Sequence, residues 1–370
     1  PAPILRGTGP YTFTYWNTTA KEWRIDKFNE YWKGWDPDPE HPYYLNTFIF
    51  REIADWTSRR EAFLNGEVDI ISVPRIYYIE LLQPNGEPLP GIVCYKDVPQ
   101  LQSSALHFNF DVKSGEWGNY IPIIRLQPVP RFFANVHTRR AFCYALNFTE
   151  YLEEAWVNEA EQPATWHISG LTPDYRDPTI VKYSINLTRV REELQAATYN
   201  VTGTPESLWD SGFTVTMLYQ GGSERRIALE MIESAIESLN AERTGKPAFI
   251  INVTPITPWC YLCPPPGPDE MPCYTMGWLA DFADADNFAR PYMHSQGDFA
   301  YTQGYSNSTV DIEIDLAIKT DNETLRRQLY YDLQRTFINE CPSLMLIQHY
   351  GRAWMRNWVQ GWYYNALHPG

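Results

Sequence analysis

A chain of 370 residues is long enough for two lobes with cores of their own. A formal net charge of -15 makes nucleic acid and anionic membrane surfaces poor partners, and no apolar run approaches the length of a membrane span. Aromatic residues at 15% together with 29 prolines point to rigid loops and ring-lined surfaces.

Residues 1 to 35 alternate aromatic and polar side chains (Tyr11, Phe13, Tyr15, then Trp23 and Ile25), a period of two that predicts paired strands. Lys27 to Trp32 reads as a short aromatic turn of helix, and residues 36–42 as a loop. Leu45 to Glu52 is a predicted strand. Thr57 and Ser58 are placed to cap a short helix from Arg59 to Asn65, which Gly66 ends. Val68 to Ile71 is the next strand, and a helix running straight into a strand is α/β grammar.

Ile76 to Leu82 reads as a short helix and Leu101 to Phe110 as a buried strand with Asn109 near its end. Residues 111–130 hold many turn formers and read as an insertion or lid. Val136 to Leu146 is an amphipathic helix, and Asn147 caps the one after it, through Trp156. Trp166 and His167 lie in an irregular segment and are candidates to face a ligand, with a structural role the more ordinary one. Leu187 to Ala197 is a helix and Phe213 to Tyr219 a strand. Gly221, Gly222 and Ser223 then open a helix from Arg225 to Leu239 with Leu229, Ile232, Ile236 and Leu239 at helical spacing. The segment lacks the Lys-Ser/Thr of a phosphate-binding loop. Phe249 to Ile256 is a strand of parallel type. Helices at Val310 to Ala317 and Arg326 to Ile338 and a strand at Pro342 to Ile347 close the pattern. Trp354, Trp358 and Trp362 read as packing residues.

The stretch from Tyr274 to Phe288 is where the chemistry concentrates. Gly277 and Trp278 offer accessible backbone beside a large ring. Asp281 follows three residues later inside an apolar run, so its carboxylate must meet a cation or hydrogen-bond donors, or stay wet. With Trp259 upstream, such a site suits a small amine-bearing ligand held by charge and ring faces. The ordinary alternative is a helix-entry loop in which Asp284 or Asp286 caps a helix at Asn287 and Phe288.

Asn-x-Ser/Thr sequons begin at Asn17, Asn147, Asn186, Asn200, Asn252, Asn307 and Asn322, a density expected of an exported chain in a glycosylating organism. Asn186, Asn200 and Asn322 lie in polar loops and are the preferred candidates, with Asn17 and Asn307 behind them. Six cysteines in an exported protein favour bridges. Cys273 is expected to pair with Cys260 or Cys263, while Cys143 reads as a core residue. No Gly-x-Ser-x-Gly elbow, His-Glu-x-x-His or paired metal motif is present, so neither enzyme chemistry nor a metal or other cofactor is expected.

Gly277, Trp278, Asp281, Asp284, Asn287 and Phe288 together resemble a motif of the family 5 extracellular solute-binding proteins, the dipeptide, oligopeptide and nickel receptors of ABC importers. Further segments resemble that family in its own order: Gly7 to Phe13 with Asn29 to Trp32, Arg60 to Ile70, Leu106 to Asn109, Thr138 to Asn147, and Gly304 to Asn307 with Val310 and Asp311. The resemblance implies an α/β fold of two lobes with mixed sheets, periplasmic-binding-protein-like of type II, with a ligand cleft between the lobes. Residues 1–110 and 345–370 would belong to lobe I and 111–344 to lobe II.

It further implies an extracellular, cell-surface receptor that binds peptides and delivers them to an ABC transporter permease. Asp281 would meet the ligand ammonium, Gly277 would offer backbone contacts, and Trp278 and Trp259 would offer ring walls, with Asn109 and Tyr219 as further ligand contacts. A glycosylated archaeal member of the family is expected, and the same fold binding oligosaccharides is the alternative. Because the family's opening strands precede the first matched segment, a separate N-terminal fragment or a second copy of the chain is expected to cover the exposed edge.

Overall fold

A computed structural model describes residues 7–35, 45–114, 120–256 and 268–367. The chain forms two compact units, residues 1–95 with 353–363 and residues 96–352 with 364–370. The boundaries expected near 110 and 345 lie just past one long strand and inside another. The units divide earlier on the first and later on the second.

In the first unit, β1 (Tyr11–Asn17), β2 (Glu22–Lys27) and β3 (Thr47–Arg51) form an antiparallel meander in sequence order. Cross-strand ring pairs fix its register: Trp23 stacks on Phe50 with centroids 3.8 Å apart. Lys27 to Trp32 forms turns rather than a helix. Helix α1 (Trp56–Leu64) starts two residues before Ser58, and its cap is Asp55, whose carboxylate accepts from the Ser58 amide at 2.8 Å. The short strand β4 (Ile70–Ile71) pairs with Trp354 and Met355. Trp56, Phe63, Ile71, Val73, Leu81, Ile92 and Trp354 make the core of this unit. Of the three tryptophans near the C-terminus only Trp354 packs there. Trp358 is 50% exposed, and Trp362 stacks on Tyr95 at 4.2 Å.

The second unit is a layered α/β body. The chain enters it along β5 (Ile92–Phe108) and leaves along β14 (Ser343–Arg356). Between them come β6 (Ile123–Ile124), β7 (Gln127–Pro128), α2 (Val136–Cys143), α3 (Phe148–Trp156), β8 (Ala160–Glu161), α4 (Leu187–Ala196), β9 (Thr198–Asn200), β10 (Pro205–Ser207) and α5 (Leu208–Ser211). There follow β11 (Phe213–Tyr219), α6 (Ser223–Ser238), β12 (Phe249–Pro255), β13 (Cys273–Leu279), α7 (Asp286–Met293), α8 (Asp298–Gln303), α9 (Ser308–Lys319) and α10 (Glu323–Glu340).

The central order is β14-β5-β13-β11, with β12 on the far side of β11 and β8 on β14. β11, α6 and β12 form a parallel crossover unit in full register from Phe213 opposite Phe249 to Tyr219 opposite Pro255. The expected apolar stripe of α6 is the face it buries: Leu229, Ile232, Ile236 and Leu239 are all inaccessible. One face of the sheet packs on α2 to α6, the other on α7 to α10. β14 feeds both, Leu344 and Leu346 into the first core and Met345 into the second. Segment 111–130, expected as an insertion or lid, contributes the hairpin β6–β7, which joins the sheet at Thr214 opposite Ile123.

Candidate functional site

β13 carries the site, and its ladder explains why. On one side it pairs with β5 along its whole length, from Cys273 opposite Phe108 to Leu279 opposite Gln102. On the other it pairs with β11 only at Cys273 and Tyr274, because β11 ends at Tyr219. From Thr275 to Leu279 this second edge has no strand partner among the described residues. Among the described residues, main-chain donors and acceptors are therefore left along an open edge at the carboxyl end of a parallel strand, the place where α/β sheets take ligands.

Gly277 sits in this open stretch. A Cβ there would lie 2.6 Å from the Ser103 carbonyl oxygen, 3.2 Å from Ser104 Oγ and 3.5 Å from Arg225 Nη2. Only glycine fits without moving backbone, and three polar groups converge on the position it leaves open. Ser104 Oγ lies 3.2 Å from His349 Nε2, and the His349 ring meets Trp156 edge-on at 4.9 Å. Arg225, in the first turn of α6, donates from Nη1 to the Gln220 carbonyl at 2.9 Å. Burial works against its charge.

Beyond Leu279 the chain bends into a turn organised by the buried Asn287. Its Oδ1 accepts from Trp278 Nε1 at 3.1 Å and from the Asp281 amide at 3.0 Å, and its Nδ2 donates to Asp281 Oδ2 at 3.2 Å. One amide side chain thus aims both the ring and the carboxylate of the motif. Asp284 takes two hydrogen bonds from Arg326 Nη2, both 2.9 Å, and accepts from the Asp286 amide at the start of α7. Asp286 is buried against Arg290, which also reaches Asp315. Burial pushes the Asp286 carboxyl up, against the pull of Arg290.

Asp281 itself is exposed: of the outcomes that its place in an apolar run allows, the carboxylate stays wet and takes one donor, Asn287 Nδ2. The apolar run around it is not a buried one, since Leu279 is 54% and Phe282 48% exposed. Trp278 is half-buried, packed edge-on to Phe299 at 5.7 Å and tied to Asn287, so its ring braces the turn. Tyr219 is half-buried at the end of β11, close to the open edge. Asn109 is not brought to the site. It lies at the opposite end of β13, where its amide joins the Pro272 carbonyl, its Nδ2 the Asp269 carbonyl, and its Oδ1 the Asp111 amide. Trp259, Cys260 and Cys263 lie outside the described residues.

Trp166 and His167 are buried and structural. Trp166 Nε1 meets Met293 Sδ at 3.0 Å, and His167 Nε2 accepts from the Tyr175 amide at 3.2 Å. Cys273, expected at one end of a bridge, is a free, fully buried thiol facing the Thr216 carbonyl. Cys143 is buried and free, as its place on the apolar helix face implies.

Four of the sequon asparagines cap helices: Asn147 caps α3, Asn186 α4, Asn307 α9 and Asn322 α10. Capping uses Oδ1, so the Nδ2 that would carry a glycan is not consumed by it at Asn186 or Asn322. Asn307 Nδ2 is donated to Glu340 and Asn147 Nδ2 to Glu150. Asn17 closes a turn through its Oδ1, and Asn200 is exposed at the end of β9. Among the described residues no three His, Cys, Asp or Glu side chains are grouped to hold a metal ion.

The family model described as bacterial extracellular solute-binding proteins, family 5 Middle, matches residues 2–300. The chain belongs to this family. Among relatives of this family 5 protein, the glutathione-binding protein GsiB of Pectobacterium atrosepticum is 25% identical over 362 residues, covering 92% of this chain and 58% of its own. GsiB of Escherichia coli K12 is 24% identical over 363 residues, with the same coverage. Among solved structures, the periplasmic binding protein DppA of Helicobacter pylori in complex with peptide STSA superposes with a TM-score of 0.68 at 21% identity, over 96% of this chain and 60% of that one. The oligopeptide-binding protein AppA of Bacillus subtilis in complex with a nonapeptide gives 0.66 at 15% identity, over 98% and 64%. These likenesses establish a type II periplasmic-binding-protein fold. The chain spans about three-fifths the length of the relatives it matches.

Proposed function

We propose that this family 5 protein is an extracellular receptor that binds short peptides and passes them to the permease of an ABC importer. The observation that carries the reading is the open edge of β13, running from Thr275 to Leu279 into the exposed, Asn287-braced carboxylate of Asp281. A peptide laid along that edge satisfies its own backbone by strand addition and leaves its side chains free. Its ammonium meets Asp281 in a charge-assisted hydrogen bond. The named ligands of the relatives, glutathione and peptides, agree with this chemistry. Among the described residues no helix is long and apolar enough to cross a membrane, which suits a protein that reaches its permease by docking.

Calorimetric titration with di- and tripeptides tests the reading. Asp281→Asn should weaken binding by about tenfold or more, because a hydrogen bond to a charged group contributes ~1.5–3 kcal/mol, while the melting temperature stays within a degree or two. Unchanged affinity in that variant, or no peptide binding by the unaltered chain, would count against it.

A further inference from the structure

The end of α10 is pinned to α2. Arg139 donates to the carbonyls of Glu340 and Cys341, Arg140 to that of Asn339, and the Tyr183 hydroxyl to that of Ile338 at 3.0 Å. Ile338, Asn339 and Glu340 end the helix, so their carbonyls have no partner within it and are taken by these side chains instead. Arg139 stands four residues before Cys143 on α2, so the two share a face of that helix. The contacts that hold the end of α10 therefore bring Cys341 to Cys143. Both are free thiols, fully buried in the same core, and their sulfurs are in hydrogen-bond contact. Cys341 also stands in the left-handed region (φ 37°, ψ 60°) directly after α10, where glycine is the ordinary residue and a Cβ is penalised.

From this placement we infer that Cys143 and Cys341 are the two ends of a disulfide, formed when the protein meets an oxidant of the disulfide class. Contact between two sulfurs is the starting geometry that an S–S bond of ~2.05 Å needs. The inference goes beyond the receptor reading and takes from it only the compartment, since exported proteins meet such oxidants. Burial raises the Cys143 thiol well above its ordinary value. At Cys341 burial acts in the same direction, but contact with Cys143 and the Arg139 and Arg140 guanidiniums outweigh it and hold that thiol lower. Cys341 is therefore the first to become a thiolate. It attacks one sulfur of a reagent R–S–S–R, and R–S⁻ leaves and takes up the proton. The Cys143 thiolate then attacks the Cys341 sulfur and expels the second R–S⁻ with the second proton. Two thiols are oxidised and one reagent disulfide is reduced to two R–SH. The bond closes the loop between residues 143 and 341, which carries the β11–α6–β12 crossover, β13 and the Asp281 turn. A loop of that length gives a crosslink its largest effect on the unfolded chain.

The test is made on the 370-residue chain. It is incubated with hydroxyethyl disulfide and mercaptoethanol just below its urea midpoint, so that openings expose the buried sulfurs. The reagent is neutral and offers neither charge of a peptide. Remaining thiols are alkylated in full denaturant and the digest is weighed without reductant. A peptide pair joined through Cys143 and Cys341, lost on reduction, is the expected result. The oxidised chain should melt about 5 °C or more above the reduced one. Cys341→Gly, which suits the left-handed position, should fold and show no such difference, and Cys143→Ala should behave alike. If Cys143→Ala does not fold, Cys341→Gly and the digest of the unaltered chain decide. Recovery of both cysteines alkylated after oxidation would overturn the inference. So would either one bridged only to another of the six cysteines, or a melting difference that survives in Cys341→Gly. A chain that forms the bridge but binds no peptide loses the receptor reading alone. One that binds peptide with both thiols free loses this inference alone.

Discussion

At the scale of single residues, the motif works through a side chain that touches no ligand in the proposed scheme. Asn287 joins the Trp278 indole, the Asp281 amide and the Asp281 carboxylate. Because Asn287 is buried, its removal takes a fixed acceptor from the half-buried Trp278 indole N–H and from the Asp281 amide. Asn287→Ala should therefore cost about 2 kcal/mol of unfolding free energy, read as a lower urea midpoint at unchanged slope. It should also weaken peptide binding, because Asp281 loses its brace. Asn287→Asp keeps the acceptor but sets a second carboxylate beside Asp281, so it should be at least as harmful. Intact affinity in the alanine variant would mean that Asp281 is oriented by something else.

At the scale of elements, the crossover β11–α6–β12 was legible from its residues. Phe213 to Tyr219 alternates, the α6 stripe is helical, and the glycines between them leave no competing assignment. The cap of α3 was legible too, since Asn147 has Glu150 in the right place. Other signals were misleading for reasons of packing. Asp55 outcompetes Thr57 and Ser58 as a cap because its carboxylate reaches the Ser58 amide and hydroxyl together. Asp281 was found by its motif, but its exposure was not, because Leu279 and Phe282 on either side of it are left exposed after the bend.

The packing of β5 carries a pH prediction. His107 is fully buried among Tyr274, Tyr292 and Phe299, and burial pushes its pKa down to about 3. His167 is pushed down to about 4 by the same cause. Both stay neutral in the folded chain while the unfolded chain takes up protons below about 6.5. The unfolded state therefore binds more protons across this window, and stability falls as the pH falls. Each histidine should remove about 2 kcal/mol between pH 7 and pH 5. Urea unfolding at half-unit steps checks this, and His107→Gln should remove about half of the decline.

At the scale of the whole molecule, the two units differ in what holds them. Among the described residues the core of the first is a cluster of seven buried side chains around Trp56, Phe63 and Trp354, and its meander leaves Trp16, Ile49 and Phe50 exposed. The second buries two large clusters, one on each face of a sheet whose inner strands are paired on both sides for part or all of their length. Local stability follows buried apolar area and protected backbone bonds, so the units should not open together. In hydrogen exchange under native conditions, amides of β1 to β3 should exchange by openings well below the global unfolding free energy. Those of β5, β11 and β13 at Leu106 to Phe108, Val215 to Leu218 and Cys273 and Tyr274 should exchange only by global opening of their unit. The amides of Met276 to Leu279 that face the unpaired edge should be the exception within β13, exchanging fast in the free protein and slowing when trialanine is present. Uniform protection along β13 in the free chain would mean that its edge is already covered, and the proposed peptide seat would have to be sought elsewhere.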